Sequence, residues 1–180
     1  MNKLAMLAAA FLTVALPATA AVVNDEIDGA FQIFGTGSLS QDVSGATASL
    51  ASQFGGSIEN DVWLTFFGTG ATITLSSGNP GTTYDTQFFL WQGYDGLSYG
   101  SLTQIDYDDD LGGGEASLLS FASVLGQQYW LGIDGYGGSS GTYELSYSGA
   151  AAAAVPLPAA GWMLIAGLGA MGALRRRKQA

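Results

Sequence analysis

Between Leu4 and Leu174 the chain carries no lysine, arginine or histidine, and it has no cysteine anywhere. Its five cations stand at the two ends, as Lys3 and as Arg175, Arg176, Arg177 and Lys178. Its fifteen acids all fall between Asp25 and Glu144. A fold made from this stretch has neither salt bridges nor disulfides to hold it. Apolar packing and hydrogen bonds between neutral groups must do so. The same feature excludes whole classes of function. Nucleic acid is not a partner, because nothing in the middle neutralises phosphate. Chemistry that needs a histidine, a cysteine nucleophile, or a His/Cys metal site is also ruled out.

Both ends read as targeting segments. Met1-Asn2-Lys3 is a short positive start, Leu4 to Leu16 is apolar, and Pro17 stops any helix. Ala18-Thr19-Ala20 then fits a small-x-small cleavage site, so residues 1–20 are expected to be a signal peptide and Ala21 the first mature residue. Residues 150–180 form a second unit. Ala150–Ala154 is a spacer of small residues, and Val155-Pro156-Leu157-Pro158-Ala159 follows. From Ala159 to Leu174 the chain is apolar or small for 16 residues, about 24 Å as a helix. That is a short transmembrane helix, with Trp162 at one interface and the Arg175–Lys178 cluster on the cytoplasmic side. The domain between the two ends is therefore expected outside the membrane.

This tail, from Val155 to Lys178, resembles the PEP-CTERM class of bacterial sorting signals, in the variant that begins Val-Pro-Leu-Pro-Ala. The resemblance implies processing by an exosortase-type membrane enzyme near the motif, transient anchoring in the inner membrane, and delivery to the cell surface, the outer membrane or an exopolysaccharide matrix. A plain C-terminal membrane anchor is the alternative for the same residues.

The middle, residues 21–149, is one domain long enough for its own core. Glycine is abundant, at 27 of 180 residues, and period-2 alternation recurs. Tyr143, Leu145 and Tyr147 share one face, and Tyr129, Leu131 and Ile133 another. Candidate strands are 30–34, 62–67, 71–76, 86–91, 102–107, 117–123, 129–133 and 142–148. Their separators are turn formers: Gly78-Asn79-Pro80-Gly81, Gly93-Tyr94-Asp95-Gly96, Gly112-Gly113-Gly114 and Gly135-Tyr136-Gly137-Gly138. About eight short strands so spaced predict an all-β protein, a single β-sandwich of jelly-roll type. Residues 44–52 fit neither period.

The order of these pieces carries a second resemblance, from about Glu59 to Ser148. Asn60-Asp61-Val62-Trp63, the Tyr84-Asp85-Thr86 strand entry, the Asp108-Asp109-Asp110-Leu111-Gly112 turn and the Ile133-Asp134-Gly135-Tyr136-Gly137 hairpin are similar in order to the bacterial pre-peptidase C-terminal domain. That resemblance implies a jelly-roll-like sandwich, an accessory role tied to adhesion, and in some members calcium.

Asp106, Asp108, Asp109 and Asp110 form the densest acidic site. Asp106, Asp108 and Asp110 stand at i, i+2 and i+4, as at the start of a looped calcium site. An EF-hand is excluded, because Leu111 and Ser117 occupy the positions that need glycine and glutamate. Glu115 is placed to close a different site from beyond the glycine run. Asp85 and Asp134, at strand ends, are further candidate ligands on the same rim. Two readings stay open: a solvated turn whose carboxylates cap backbone amides, or a calcium site that supplies the missing positive charge. For Asp134 the simpler alternative is the turn dipeptide Asp134-Gly135. Tyr94, Tyr99 and Tyr136 fall in loops, where they either pack or stack on sugar rings.

The expectation is an exported, non-enzymatic surface or matrix protein, structural or adhesive in an exopolysaccharide setting, with calcium as the candidate cofactor and extracellular polysaccharide as a candidate partner. A calcium-dependent carbohydrate-binding module is the alternative. A small secreted hydrolase using paired carboxylates is the weaker one.

Overall fold

The computed structural model describes residues 22–49 and 60–152. The expected signal peptide, the Val155–Ala159 motif and the Arg175–Lys178 cluster lie outside the described residues. Nine strands follow one another: β1 Phe31–Gln32, β2 Gly35–Asp42, β3 Val62–Phe67, β4 Thr72–Ser76, β5 Thr86–Gln92, β6 Thr103–Asp108, β7 Leu118–Ala122, β8 Gln128–Gly135 and β9 Thr142–Ala150. No α-helix occurs among the described residues; three single 3-10 turns complete the list of elements.

The strands form two sheets. One has the order β1-β3-β8-β5-β6 and the other β2-β9-β4-β7. All pairings are antiparallel except the short parallel contact of β1 with β3. Strands β2 to β9 thus follow the double Greek-key order of a jelly roll, as the turn spacing predicts, with β5 and β6 a hairpin within one sheet and β1 added outside β3.

Alternation within each strand explains where the core sits. Val62, Leu64 and Phe66 of β3, Phe88 and Leu90 of β5, and Tyr129, Leu131 and Ile133 of β8 point between the sheets. There they meet Ile73 and Leu75 of β4, Leu119 of β7, and Tyr143 and Leu145 of β9. The opposite face of the five-stranded sheet is also covered. Trp63, Trp91 and Trp130 form a second apolar layer with Ile27 and Leu102, against which Tyr94 and Tyr99 pack. The Trp63 ring lies over Gly132, where a Cβ would stand in ordinary contact with it at 3.5 Å. Burial on both faces is why β3, β5 and β8 read as nearly continuous apolar runs.

The chain closes this second layer with neutral donors on acidic acceptors. The Tyr94 hydroxyl donates to Asp28 at 2.8 Å and the Tyr99 hydroxyl to Glu26 at 2.6 Å. Both tyrosines are therefore packing residues, and of the three loop tyrosines only Tyr136 is exposed. Trp63 Nε1 donates to Asp61 Oδ2 at 2.6 Å. The backbone N–H of Ser49 donates to the other oxygen of Asp61 at 2.7 Å, and the Ser49 hydroxyl also donates to this carboxylate.

The candidate strand 30–34 forms only at Phe31–Gln32, and β9 runs on to Ala150; two further differences have a clear physical reason. Strand β2 was not anticipated, because Gly35-Thr36-Gly37-Ser38-Leu39-Ser40-Gln41-Asp42 lacks the branched and aromatic residues that favour strands. It forms because seven of its residues are in register with β9. Strand β8 continues through Asp134 to Gly135, past the expected end at Ile133, since both residues pair with the start of β5.

The jelly roll gives the molecule two unlike poles. Asp42, Asp61, Asp85, Asp108, Asp109, Asp110, Glu115, Asp134 and Glu144 stand at or beside the connections β2–β3, β4–β5, β6–β7 and β8–β9, all at one end. The other end carries the connections β3–β4, β5–β6 and β7–β8 and the chain's exit from β9. Asp95 is the one acid in those segments.

Candidate metal centre

The acidic pole is built around Asp108. The last residue of β6, it is buried and turns its carboxylate inward. Its Oδ2 accepts from the backbone N–H of Leu111 at 3.1 Å and of Leu118 at 2.7 Å. One carboxylate thereby folds residues 109–117 back into the start of β7. Two backbone bonds finish the turn: the Gly112 N–H donates to Ala116 at 2.8 Å, and the Gly113 N–H to Asp110 at 3.0 Å. Gly113 and Gly114 have φ of 95° and 72°, where a side chain would be strained.

Beneath the turn lies a buried hydroxyl network. Ser77 Oγ is 2.6 Å from Thr86 Oγ1, and Thr86 Oγ1 is 3.2 Å from Ser117 Oγ. Ser117 Oγ donates to the Thr86 carbonyl at 2.6 Å, and the Ser117 N–H donates to Ser77 Oγ at 2.8 Å. The network ties the ends of β4, β5 and β7 together with uncharged groups. Thr86→Val keeps the shape but removes a shared partner, leaving buried donors unsatisfied. We expect a loss of about 1–3 kcal/mol, read as a lower urea midpoint at unchanged slope.

On this base the fold brings three carboxylates together. Asp85, Asp109 and Asp110 each offer an oxygen, and these oxygens lie within 4.8 Å of one another. Asp85 enters from the residue before β5, where its backbone carbonyl is fixed by the Tyr136 N–H at 3.0 Å and Ser139 Oγ at 3.2 Å. One oxygen each of Asp85 and Asp109 is buried and has no hydrogen-bond partner. Burial first, then the charges of Asp109, Asp110 and Glu115, hold the Asp85 carboxyl above the usual carboxylate range. Asp109 is raised by burial and then by Asp110, partly offset by hydrogen bonds with Gln87 and Tyr107. The site is thus a concentration of hard oxygen donors with no basic side chain in the domain to balance it, the donor chemistry that calcium and magnesium accept.

The other four candidate ligands stand apart from this triad. Asp108 is engaged by two backbone amides. Asp106 lies within β6, and its Oδ1 accepts from the adjacent Tyr107 N–H at 2.9 Å. The i, i+2, i+4 spacing does not gather Asp106, Asp108 and Asp110, because the first two belong to a strand and only the third to the turn. Glu115 is exposed and acts on Asp85 through its charge. Asp134 is fully buried, and its Oδ1 accepts from the Asn60 N–H at 3.1 Å.

Asp61, which the sequence does not mark as a site residue, is a buried carboxylate. It is 1% exposed, and burial pushes its carboxyl up to about 6 despite its bonds with Ser49 and Trp63. The one available signal was its spacing: Asp61 stands two residues before Trp63, on the same face of the strand.

Beside the triad a cleft of about 470 Å³ opens, lined among others by Ser77, Asn79, Thr82, Thr83, Tyr84 and Glu115. Its walls combine hydroxyls, the Asn79 amide and the Glu115 carboxylate with the apolar surfaces of Pro80 and Ala116.

Fold and site define a jelly-roll domain with an oxygen-donor pole and an apolar, cation-ended tail. That tail, residues 154–178, matches the PEP-CTERM protein-sorting motif, which implies export and membrane-associated sorting. The match contains both the Val155–Ala159 stretch and the Arg175–Lys178 cluster. Among solved structures, the chain is similar to the pre-peptidase C-terminal domain of collagenase from Bacillus anthracis, at 19% identity and a TM-score of 0.44, covering 66% of this chain and 94% of that one. It is also similar to PliG of Aeromonas hydrophila, a periplasmic inhibitor of g-type lysozyme, at 11% identity and a TM-score of 0.42, covering 66% of this chain and 94% of that one. No curated protein matches the sequence.

Proposed function

We propose that this chain is a non-catalytic surface or matrix protein, delivered by its C-terminal signal, whose domain works by adhesion and holds a calcium ion at Asp85, Asp109 and Asp110. The sorting motif at 154–178 carries the reading of delivery. An exosortase-type enzyme is the processing partner, and the Val-Pro-Leu-Pro-Ala stretch is the segment near which it acts. Intact-mass analysis of protein extracted from the cell surface tests this. The mature chain is expected to begin at or near Ala21 and to lack Arg175–Lys178. A product that still ends at Ala180 contradicts sorting and leaves a plain membrane anchor.

Calcium is supported by the three converging carboxylates and by the two buried, unpartnered oxygens among them. When bound, the ion supplies positive charge at the point where the fold concentrates negative charge. Asp85 would hold it from the residue before β5, and Asp109 and Asp110 from the turn after β6. Calcium takes six to eight oxygens, which leaves room for water or for a ligand's hydroxyls.

Carbohydrate binding is the second reading, favoured by the polar cleft next to the triad. Its hydroxyl and amide walls suit a sugar's hydroxyls, with Glu115 shared between the cleft and the surroundings of Asp85.

A further inference from the structure

The pole opposite the acids has its own chemistry. Phe34, Val124 and Leu125 project there, 62%, 65% and 77% exposed. They surround the point where the chain leaves the domain. Ala151 pairs with Phe67 by two backbone bonds, at 3.0 and 2.7 Å. Gly35, next to Phe34, is in register with Ala150. On the other side, the Gly126 N–H donates to the Gly68 carbonyl at 2.9 Å. A Cβ at Gly70 would stand 3.5 Å from the Leu125 side chain. The three exposed apolar residues and the exit of β9 therefore occupy one contiguous surface. The segments 33–35, 67–71, 123–127 and 149–152 that make it contain no charged residue.

Beyond the described residues, six positions separate this pole from Ala159, where the apolar tail begins. Six residues reach at most about 20 Å, so a tail in the bilayer keeps the exit pole near the lipid surface. Charge sets the same orientation. Anionic headgroups repel the carboxylate-rich pole more strongly than the opposite one, whose connections carry Asp95 alone.

We propose that, before its tail is cut, the domain stands on the membrane through this exit pole, with Phe34, Val124 and Leu125 in the headgroup layer and the Asp85–Asp109–Asp110 triad facing away. This rests on the tail lying in the bilayer. The orientation presents the oxygen-donor pole to the exterior and the exit strand to the membrane. Affinity comes from the apolar area inserted and is small for three side chains, so docking depends on the tail for local concentration.

The absence of cysteine makes a direct test available. Single cysteines, introduced as Leu125→Cys, Glu115→Cys and Leu164→Cys in the full chain, carry an environment-sensitive dye. The proteins are reconstituted into vesicles of phosphatidylethanolamine and phosphatidylglycerol containing a shallow spin-labelled lipid. Insertion to a depth of about 5–10 Å places a label within reach of that quencher. We expect the Leu125 label to lose about half of its emission and the Leu164 label to be quenched as well, while the Glu115 label is unaffected. Quenching at Leu164 but not at Leu125 overturns the docking and spares the tail. An unquenched Leu164 label overturns both. A Leu125 label shielded from aqueous iodide yet unquenched by lipid assigns the pole to a second copy of the chain, and also overturns the proposal.

Discussion

In chelator, lowering the pH from 7 to between 4 and 5 is expected to stabilise the domain. The main cause is Asp61. Its folded carboxyl is raised to about 6 by burial, against about 3.9 in an unfolded chain. A carboxyl raised by folding binds its proton more tightly in the native state. Its favourable contribution is complete below the unfolded value and is lost as pH rises through the folded one. Between pH 7 and pH 4 this single group adds roughly 2 kcal/mol. Asp85 and Asp109 are raised as well and act in the same direction. Asp42 and Asp95 are lowered by hydrogen bonds with Ser44 and with Ser98 and Leu97. Their contribution is present above the usual carboxylate range and fades only as pH falls below it. Stability should therefore pass through a maximum near pH 4–5 and decline on the acid side. Urea titrations at several pH values check this. Asp61→Asn should flatten most of the slope between pH 4 and pH 7. A stability that rises steadily from pH 5 to pH 7 would contradict the burial of Asp61.

Millimolar calcium at pH 7 is expected to raise the melting temperature, and neutral substitutions in the triad should separate its two effects. With a dissociation constant of about 10⁻⁴ M, typical of extracellular calcium modules, a fiftyfold excess adds about 2 kcal/mol. For a domain of this size that is roughly 6 °C. Screening of the acidic pole by salt also stabilises, so sodium chloride at matched ionic strength is the reference. Asp109→Asn removes a negative charge from the cluster that raises the Asp85 and Asp109 carboxyls. In chelator this variant should be more stable than the parent, and in calcium it should gain nothing beyond the sodium effect. The loss of the calcium increment distinguishes a cation site from a solvated turn, in which calcium adds nothing beyond sodium to either the parent or the variant. Calcium should also weaken the acid stabilisation described above, because Asp85 and Asp109 would stay ionised when they hold the ion.

Much of the fold could be read from alternation. The inward set of Tyr129, Leu131 and Ile133 and the set of Tyr143 and Leu145 follow from period 2, and the two-sheet architecture follows from the number of strands and the glycine turns between them. Strand β2 could not be read this way. Its stability lies in the β9 ladder, a non-local contact that a run of glycine and serine does not announce. The aromatic layer over the five-stranded sheet was hidden for a related reason. Trp63, Trp91 and Trp130 sit at outward positions, and only the docking of the segment around Ile27 and of the β5–β6 loop buries them. At the site, the acidic turn was plain in the sequence, but its internal division was not. Asp108 and Asp109 are neighbours in the chain, yet one caps amides and the other faces Asp85, because the strand ends between them. Asp85 is brought to the turn by β5, whose place between β8 and β6 is a property of the whole topology. The pH sensitivity of Asp61 depends on Ser49 and Trp63 closing over it, which spacing alone does not reveal.

Calorimetric titration of the purified protein with calcium at pH 7, in sodium chloride of constant ionic strength, tests the central claim most directly. One ion is expected to bind per chain, with a dissociation constant of about 10⁻⁴–10⁻³ M, and binding should vanish in Asp85→Asn and in Asp110→Asn while both variants remain folded. No saturable heat in the parent protein, or binding that persists in both variants, would contradict a calcium ion held by Asp85, Asp109 and Asp110.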